Sequence, residues 1–301
     1  MELTIVDLAK GRGPAAEALD RALAETGFAA VRNLGIDAGT LQRAFDEAAG
    51  FFSADPSFKA RFAYRSAAEN FGYQAPGEEY LDPAGSPDLK ETLTLRNLLH
   101  GAIALERWPS AAFGEFMTAF YGDCLAAAYR LLRLLATVLD VPEDFFVQCH
   151  RGENVTLRLL HYPPLPAEAG QLGAGAHTDY GMLTLLFQDN AGGLEVRDAG
   201  GTWQPVTPVA DTVVINAGDL LERWTNGRYR STWHRVQPRS DGRERFSIAF
   251  FVDPDSATRV EVLPACVAQG DARRFPPITA GEHVQARLQR SHEAAARRPR
   301  P

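Results

Sequence analysis

The chain has 301 residues, 45% hydrophobic and 23% charged, the balance of an ordinary globular protein long enough to bury a large core. Its formal net charge of -7 and pI near 5.6 argue against a general nucleic-acid or membrane-surface partner, since either needs a basic field. Cys124, Cys149 and Cys266 show no CxxC spacing, which argues against a disulfide framework and a zinc knuckle.

The opening "MELTIVDLAKGRG" lacks the basic-then-apolar profile of a secretory signal, and no apolar run is long enough to span a membrane. A cytoplasmic protein, monomeric and without a membrane partner, is the expectation. "ELTIVDL" reads as a short strand, "GPAAEALDRALAETG" as a helix ending on a glycine, "GFAAVRNLGI" as a second strand, and "DAGTLQRAFDEAAGFF" as a helix capped by aspartate. Segment 70–105, rich in Gly, Pro and acidic residues, reads as a lid loop. After Ser110 a long helix is expected, with Phe116, Phe120, Cys124, Ala127, Leu131, Leu134, Leu135 and Val138 forming a core stripe at three- and four-residue steps.

From about residue 153 to 264 the period changes. "VTLRLLHY", "MLTLLFQ", "GLEVRD", "TWQPV", "DTVVIN", "TWHRVQP", "RFSIAFFV" and "RVEVL" are short β-prone runs bounded by turn residues, which predicts a sandwich or jelly roll. The Gly-Gly in "GLEVRDAGGTWQPV" marks a hairpin. The terminal "AAARRPRP" reads as a solvated basic tail.

Two short patterns carry chemistry. In "AHTDYGMLTLLFQ", His177 and Asp179 are two positions apart, so on extended backbone they point to one face. His234, in "STWHRVQP", lies on a different predicted strand. Two histidines and one carboxylate form the facial triad of non-haem Fe(II) oxygenases, which leaves coordination positions open, whereas a structural zinc site takes four protein ligands. In "RERFSIAFF", Arg245 and Ser247 again share a face, and a guanidinium fork beside a hydroxyl suits a carboxylate. A structural ion pair for Arg245 is the competing reading.

With HxD, distant His and RxS in this order, the chain resembles the isopenicillin N synthase-like 2-oxoglutarate/Fe(II)-dependent oxygenases. The resemblance extends through "GFAAVRNLGI", "FFSADPSFKARF", "GYQAPGEEYLD", "PDLKETLTL", "LHYPPLP" and "NAGDLLERWTNGRYRSTWHRV". It implies an α+β fold, with a double-stranded β-helix (jelly-roll) core and a helical N-terminal region packed against it. The corresponding divisions are 1–110, a supporting helix and connector at 111–150, the core at 151–264, and a C-terminal helix and tail at 265–301. It further implies Fe(II) held by His177, Asp179 and His234, and 2-oxoglutarate held by Arg245, Ser247 and Tyr162, with O2 as the other co-substrate. The implied products are succinate, CO2 and an oxidised small molecule, hydroxylated by default, with desaturation or ring closure open.

The family often has asparagine two residues before the tyrosine, where this chain has Leu160. Arg158, on the same face, either takes over that task, meets a substrate carboxylate, or lies on the barrel surface. Phe71, Tyr73, Trp224, Tyr229 and Phe251 are candidates to line a substrate mouth, against a packing role for each. Asn216, Gly218 and Asp219 suit a turn. His161 is expected on the opposite face from Tyr162, and no role is assigned to it or to His100, His150, His283 and His292. Glu78, Glu79 and Asp82 make an amine-bearing substrate conceivable, beside a natural-product intermediate, an amino-acid derivative or a hormone-like acid. A 2-oxoglutarate-independent oxidase, an ethylene-forming enzyme and a non-catalytic metal protein stay open as alternatives.

Overall fold

Alternating strands with one apolar face toward helices and another toward a second sheet build a layered molecule. The computed structural model describes residues 1–82, 85–101, 103–164, 170–238, 242–267 and 272–287. The N-terminal part contains β1 (Ile5–Asp7), α1 (Arg12–Glu25), β2 (Phe28–Arg32), α2 (Ala38–Phe52), α3 (Pro56–Ala60), β3 (Gly72–Gln74) and β4 (Glu91–Arg96). Next come the long α4 (Ala111–Val138) and the short α5 (Phe145–Gln148). The remainder supplies β5 (Thr156–Tyr162), β6 (Ala174–His177), β7 (Leu183–Gln188), β8 (Leu194–Arg197), β9 (Trp203–Pro205), β10 (Val213–Ala217), α6 (Asp219–Trp224), β11 (His234–Val236) and β12 (Arg245–Val252).

Eight strands form the major sheet in the order β1-β2-β10-β7-β12-β5-β4-β3, and four form the minor sheet in the order β6-β11-β8-β9. This is the jelly-roll core of the expected α+β fold, with N-terminal strands paired onto both edges of its larger sheet. The helices start where their caps dictate. Asp37 accepts the Thr40 N–H at 2.9 Å, and Ser110 accepts the Phe113 N–H at 3.1 Å, each satisfying a donor of a first turn.

Strand alternation sorts the side chains. Along β12, Phe246, Ile248, Phe250 and Val252 pack toward the helices with Phe120, Cys124 and Leu131 of α4, while Ala249 and Phe251 join the space between the sheets. Two small clusters fill that space: Phe28, Ala30, Leu194, Val196 and Val214 form one, and Leu160, Tyr162, Ala174, Val236 and Ala249 the other. The α4 stripe is core as expected, with Phe116 and Val138 at its half-buried ends.

Segment 70–105 is not simply a lid. Residues "ETLTLR" form β4, with Leu93 and Leu95 in the helix-side core and Thr92 and Thr94 buried on the other face. The strand Ala174–His177 is a further element the sequence pattern does not mark. Residues 280–287 are helical and carry His283; His292 and the basic tail lie outside the described residues. No helix among the described residues is long and apolar enough to cross a membrane.

Candidate metal centre and co-substrate pocket

His177 ends β6 and His234 begins β11, and antiparallel pairing sets the two directly opposite each other. Their ring centroids are 4.2 Å apart. Asp179, two residues beyond His177, brings Oδ1 to 3.8 Å from His177 Nε2 and 3.7 Å from His234 Nε2. One ligand atom from each residue lies within 4.8 Å of the others, the only such triplet of potential metal donors among the described residues.

Every other polar atom of these three side chains is occupied. His177 Nδ1 bonds the Gly175 carbonyl at 2.7 Å and His234 Nδ1 the Thr232 carbonyl at 3.1 Å, which puts the proton on Nδ1 and leaves the Nε2 lone pair free. Asp179 Oδ2 accepts the Thr184 hydroxyl at 2.5 Å and the Asn216 amide at 2.7 Å. Burial and the neighbouring His234 ring hold His177 well below the ordinary imidazole range, so it is neutral. Burial pushes Asp179 upward, but the flanking imidazoles and the bonds from Asn216 and Thr184 outweigh it and keep the carboxyl ionised. Two imidazoles and one carboxylate, each with one uncommitted donor, fit a divalent transition metal with open positions.

Asn216 therefore does more than build a turn. Its amide fixes which Asp179 oxygen is left for the metal, while the Asp219 N–H binds the Asp179 carbonyl at 2.8 Å. Asp219 is in turn held by Arg287 at 3.1 Å and His283 at 3.4 Å, which fastens the 280–287 helix to the ligand-bearing loop.

Arg245 is only 1% exposed, on the inner face of the major sheet. Its Nε donates to the Gly192 carbonyl at 2.8 Å, Nη1 to Ser247 Oγ at 3.2 Å and Nη2 to Gln188 Oε1 at 3.3 Å, and its guanidinium lies 4.6 Å from the Tyr162 ring centre. Register places Arg245 against Tyr162 and Ser247 against Leu160 and Gln188. No carboxylate among the described residues pairs with this buried charge, so the ion-pair reading of Arg245 finds no partner there. Leu160 is buried in the interlayer cluster beside Tyr162, with Thr92 next to it in register.

Of the candidate mouth residues, several take the packing role instead. Phe71 and Tyr73 pack in the helix-side core, against Trp108 and Phe51 respectively, because alternation turns Gln74 rather than Tyr73 toward the pocket. Trp224 packs on Phe146, and Tyr229, fully buried, bonds Asp20 at 2.5 Å. Phe251 does lie between the sheets and is half-buried. His161, on the face opposite Tyr162, stacks on Phe246 and bonds Glu91 at 2.8 Å.

Arg158 faces inward but is committed: it meets Glu79 at 2.8 Å, Gln74 at 3.2 Å and Thr92 at 3.3 Å. Glu79 continues to Lys90 Nζ at 2.8 Å, and Lys90 also pairs with Asp88. Asp88 accepts the Gly175 N–H at 2.8 Å, two residues before His177. This buried chain, which motif reading missed, ties Arg158 to the strand that presents a metal ligand. Burial disfavours the charged lysine, but Glu79 and Asp88 outweigh it and raise Lys90 above its ordinary value.

A facial triad between two jelly-roll sheets, with a buried arginine on the sheet wall that meets no carboxylate among the described residues, defines a non-haem iron oxygenase centre. The 2OG-Fe(II) oxygenase superfamily description matches residues 142–254, and the non-haem dioxygenase N-terminal description matches residues 3–111. A 2-oxoglutarate-Fe(II) type oxidoreductase of Emericella nidulans is 35% identical, covering 84% of this chain and 78% of that protein. A proline hydroxylase of Petromyces alliaceus is 33% identical, over 89% of this chain and 90% of its own. A full-length Neurospora crassa protein, crystallised in complex with alpha-KG, matches with TM-score 0.85 and 31% identity over 95% of each chain. The chain belongs to the 2OG-Fe(II) oxygenase superfamily, and Fe(II), 2-oxoglutarate and O2 are its cofactor and co-substrates.

Proposed function

We propose that the chain hydroxylates a small organic molecule, converting 2-oxoglutarate, O2 and substrate R–H to succinate, CO2 and R–OH. One observation carries this reading: three uncommitted donors on His177, Asp179 and His234 share the interlayer space with Arg245, a buried cation lacking a carboxylate partner among the described residues. Arg245 and Ser247 would hold the far carboxylate of 2-oxoglutarate, with Tyr162 beneath the guanidinium. Iron, held by the triad, supplies the site where O2 is activated. The residues of the chain keep the His177 imidazole neutral, turn Nδ1 of both rings onto backbone carbonyls, orient the Asp179 carboxylate and shield the site from water between apolar clusters. Hydroxylation rather than desaturation or ring closure is favoured by the 33% identical proline hydroxylase. A monomer in the cytoplasm, with all three cysteines free, completes the reading.

The test mixes the anaerobic Fe(II) protein with 2-oxoglutarate, reads the visible metal-to-ligand charge-transfer band, then admits O2 and quantifies succinate. A band followed by slow succinate formation without substrate is expected. Bound Fe(II) with no band would overturn the co-substrate assignment in favour of an oxidase that chelates its own substrate, or a metal protein without turnover.

A further inference from the structure

The inner face of β12 runs Arg245, Ser247, Ala249 and Phe251, and alternation continues it to Asp253, just past the strand end. Asp253 lies against Gly181 in the loop after Asp179: a Cβ on Gly181 would fall on the Asp253 carboxylate, so only glycine leaves it room.

The backbone around Asp253 is rigid on both sides. Val252 is fully buried and paired with Leu183, the Pro254 carbonyl accepts the Asn154 amide at 2.8 Å, and the Asp255 N–H bonds the Cys149 carbonyl at 2.8 Å. Asp255 itself is satisfied by Arg151 at 3.0 Å. The Asp253 carboxylate has no hydrogen bond or ion pair among the described residues. Asp253 is half-buried, and a carboxylate fixed at a pocket wall without a protein donor is characteristic of a ligand contact. Arg96, whose charge reaches Asp253, is bonded instead to Asn154 and the Ala68 carbonyl. Glu79 is spent on Arg158 and Lys90, so it offers the pocket no free negative charge.

We propose that Asp253 is the substrate-recognising carboxylate, and that the substrate carries an N–H donor, as a protonated amine or an N–H heterocycle, with Phe251 as the apolar wall beside it. This rests on the oxygenase reading above. Burial, with the Asp179 charge nearby, pushes the Asp253 carboxyl up to about 7 in the metal-free protein.

The experiment uses the anaerobic Fe(II)–2-oxoglutarate complex and four probes matched in shape: phenethylamine and tryptamine as donors, 3-phenylpropionate and indole-3-propionate as acids. Binding is read from the shift of the charge-transfer band and from the thermal midpoint. The donor probes are expected to bind at least tenfold tighter than their acid counterparts, and Asp253→Asn to lose that preference without changing 2-oxoglutarate affinity. Asp253→Ala, which removes the carboxylate without an isostere, is expected to show the same loss. Acids binding as well as donors, no donor binding, or donor affinity intact in Asp253→Asn would each overturn the proposal. A band that never forms in the wild type brings down the oxygenase reading as well, whereas a normal band with no Asp253 dependence brings down this inference alone.

Discussion

Arg245→Met separates a ligand-binding arginine from a structural one. In the wild type the guanidinium is 1% exposed and held by three neutral acceptors at 2.8, 3.2 and 3.3 Å. Desolvating such a charge costs several kcal/mol, which these bonds and the Tyr162 ring partly offset. A bidentate, charge-assisted contact to a carboxylate is worth about 3 kcal/mol, so its loss weakens 2-oxoglutarate binding roughly 100-fold. Without 2-oxoglutarate, losing the buried charge and leaving the Gly192 carbonyl unpaired nearly cancel, and the thermal midpoint stays within about 4 °C of wild type. Arg245→Lys keeps the charge but not the fork and falls between, at roughly tenfold. The assay is anaerobic titration of 2-oxoglutarate into the Fe(II) protein, read from the charge-transfer band, beside thermal unfolding of the free protein. Unchanged affinity with a large fall in thermal midpoint would refute the argument and make Arg245 a structural strut.

Asp179→Ala removes the only anionic donor of the triad and is expected to leave less than a tenth of wild-type bound iron, measured by metal analysis after desalting. Asn216→Ala leaves the ligands in place but frees Asp179 to rotate; Fe(II) affinity is expected to fall about 10- to 100-fold, read by competition with a chelator. Lys90→Met leaves Asp88 a buried acid without a cation and Glu79 with Arg158 alone, so a loss of about 3 kcal/mol in denaturant unfolding is expected at pH 8, shrinking as the pH falls and Asp88 protonates. For Asp253 the sign is the reverse of a paired carboxylate's. Its folded value near 7 lies above the ordinary 3.8, so the unfolded chain ionises first and the metal-free protein loses stability between about pH 4 and pH 7. Asp253→Asn is expected to remove that loss, raising stability by about 2–4 kcal/mol at pH 7.5 and far less at pH 4.5 in thermal or denaturant unfolding.

What local sequence alone determined is what depends on local period and side-chain chemistry. His177 and Asp179 two apart, and Arg245 and Ser247 two apart, share faces because extended backbone has a period of two, and the α4 stripe is buried because helical period gathers it on one side. The strands of residues 156–252 announced themselves through β-branched and aromatic runs, with the exception of Ala174–His177, whose "AGAH" has no such signal. Pairing between distant segments was decided only by tertiary structure. It sets His234 opposite His177, recruits residues 91–96 as a buried strand where composition suggested a lid, and turns Phe71, Tyr73, Trp224 and Tyr229 into the helix-side core. Aromatic residues look alike to a sequence pattern whether they line a pocket or fill a core, since the choice rests on strand parity and on what packs against them. For the same reason the Asn216 brace, the Lys90 charge chain and the unanswered Asp253 carboxylate are visible only once residues tens of positions apart stand within hydrogen-bonding reach.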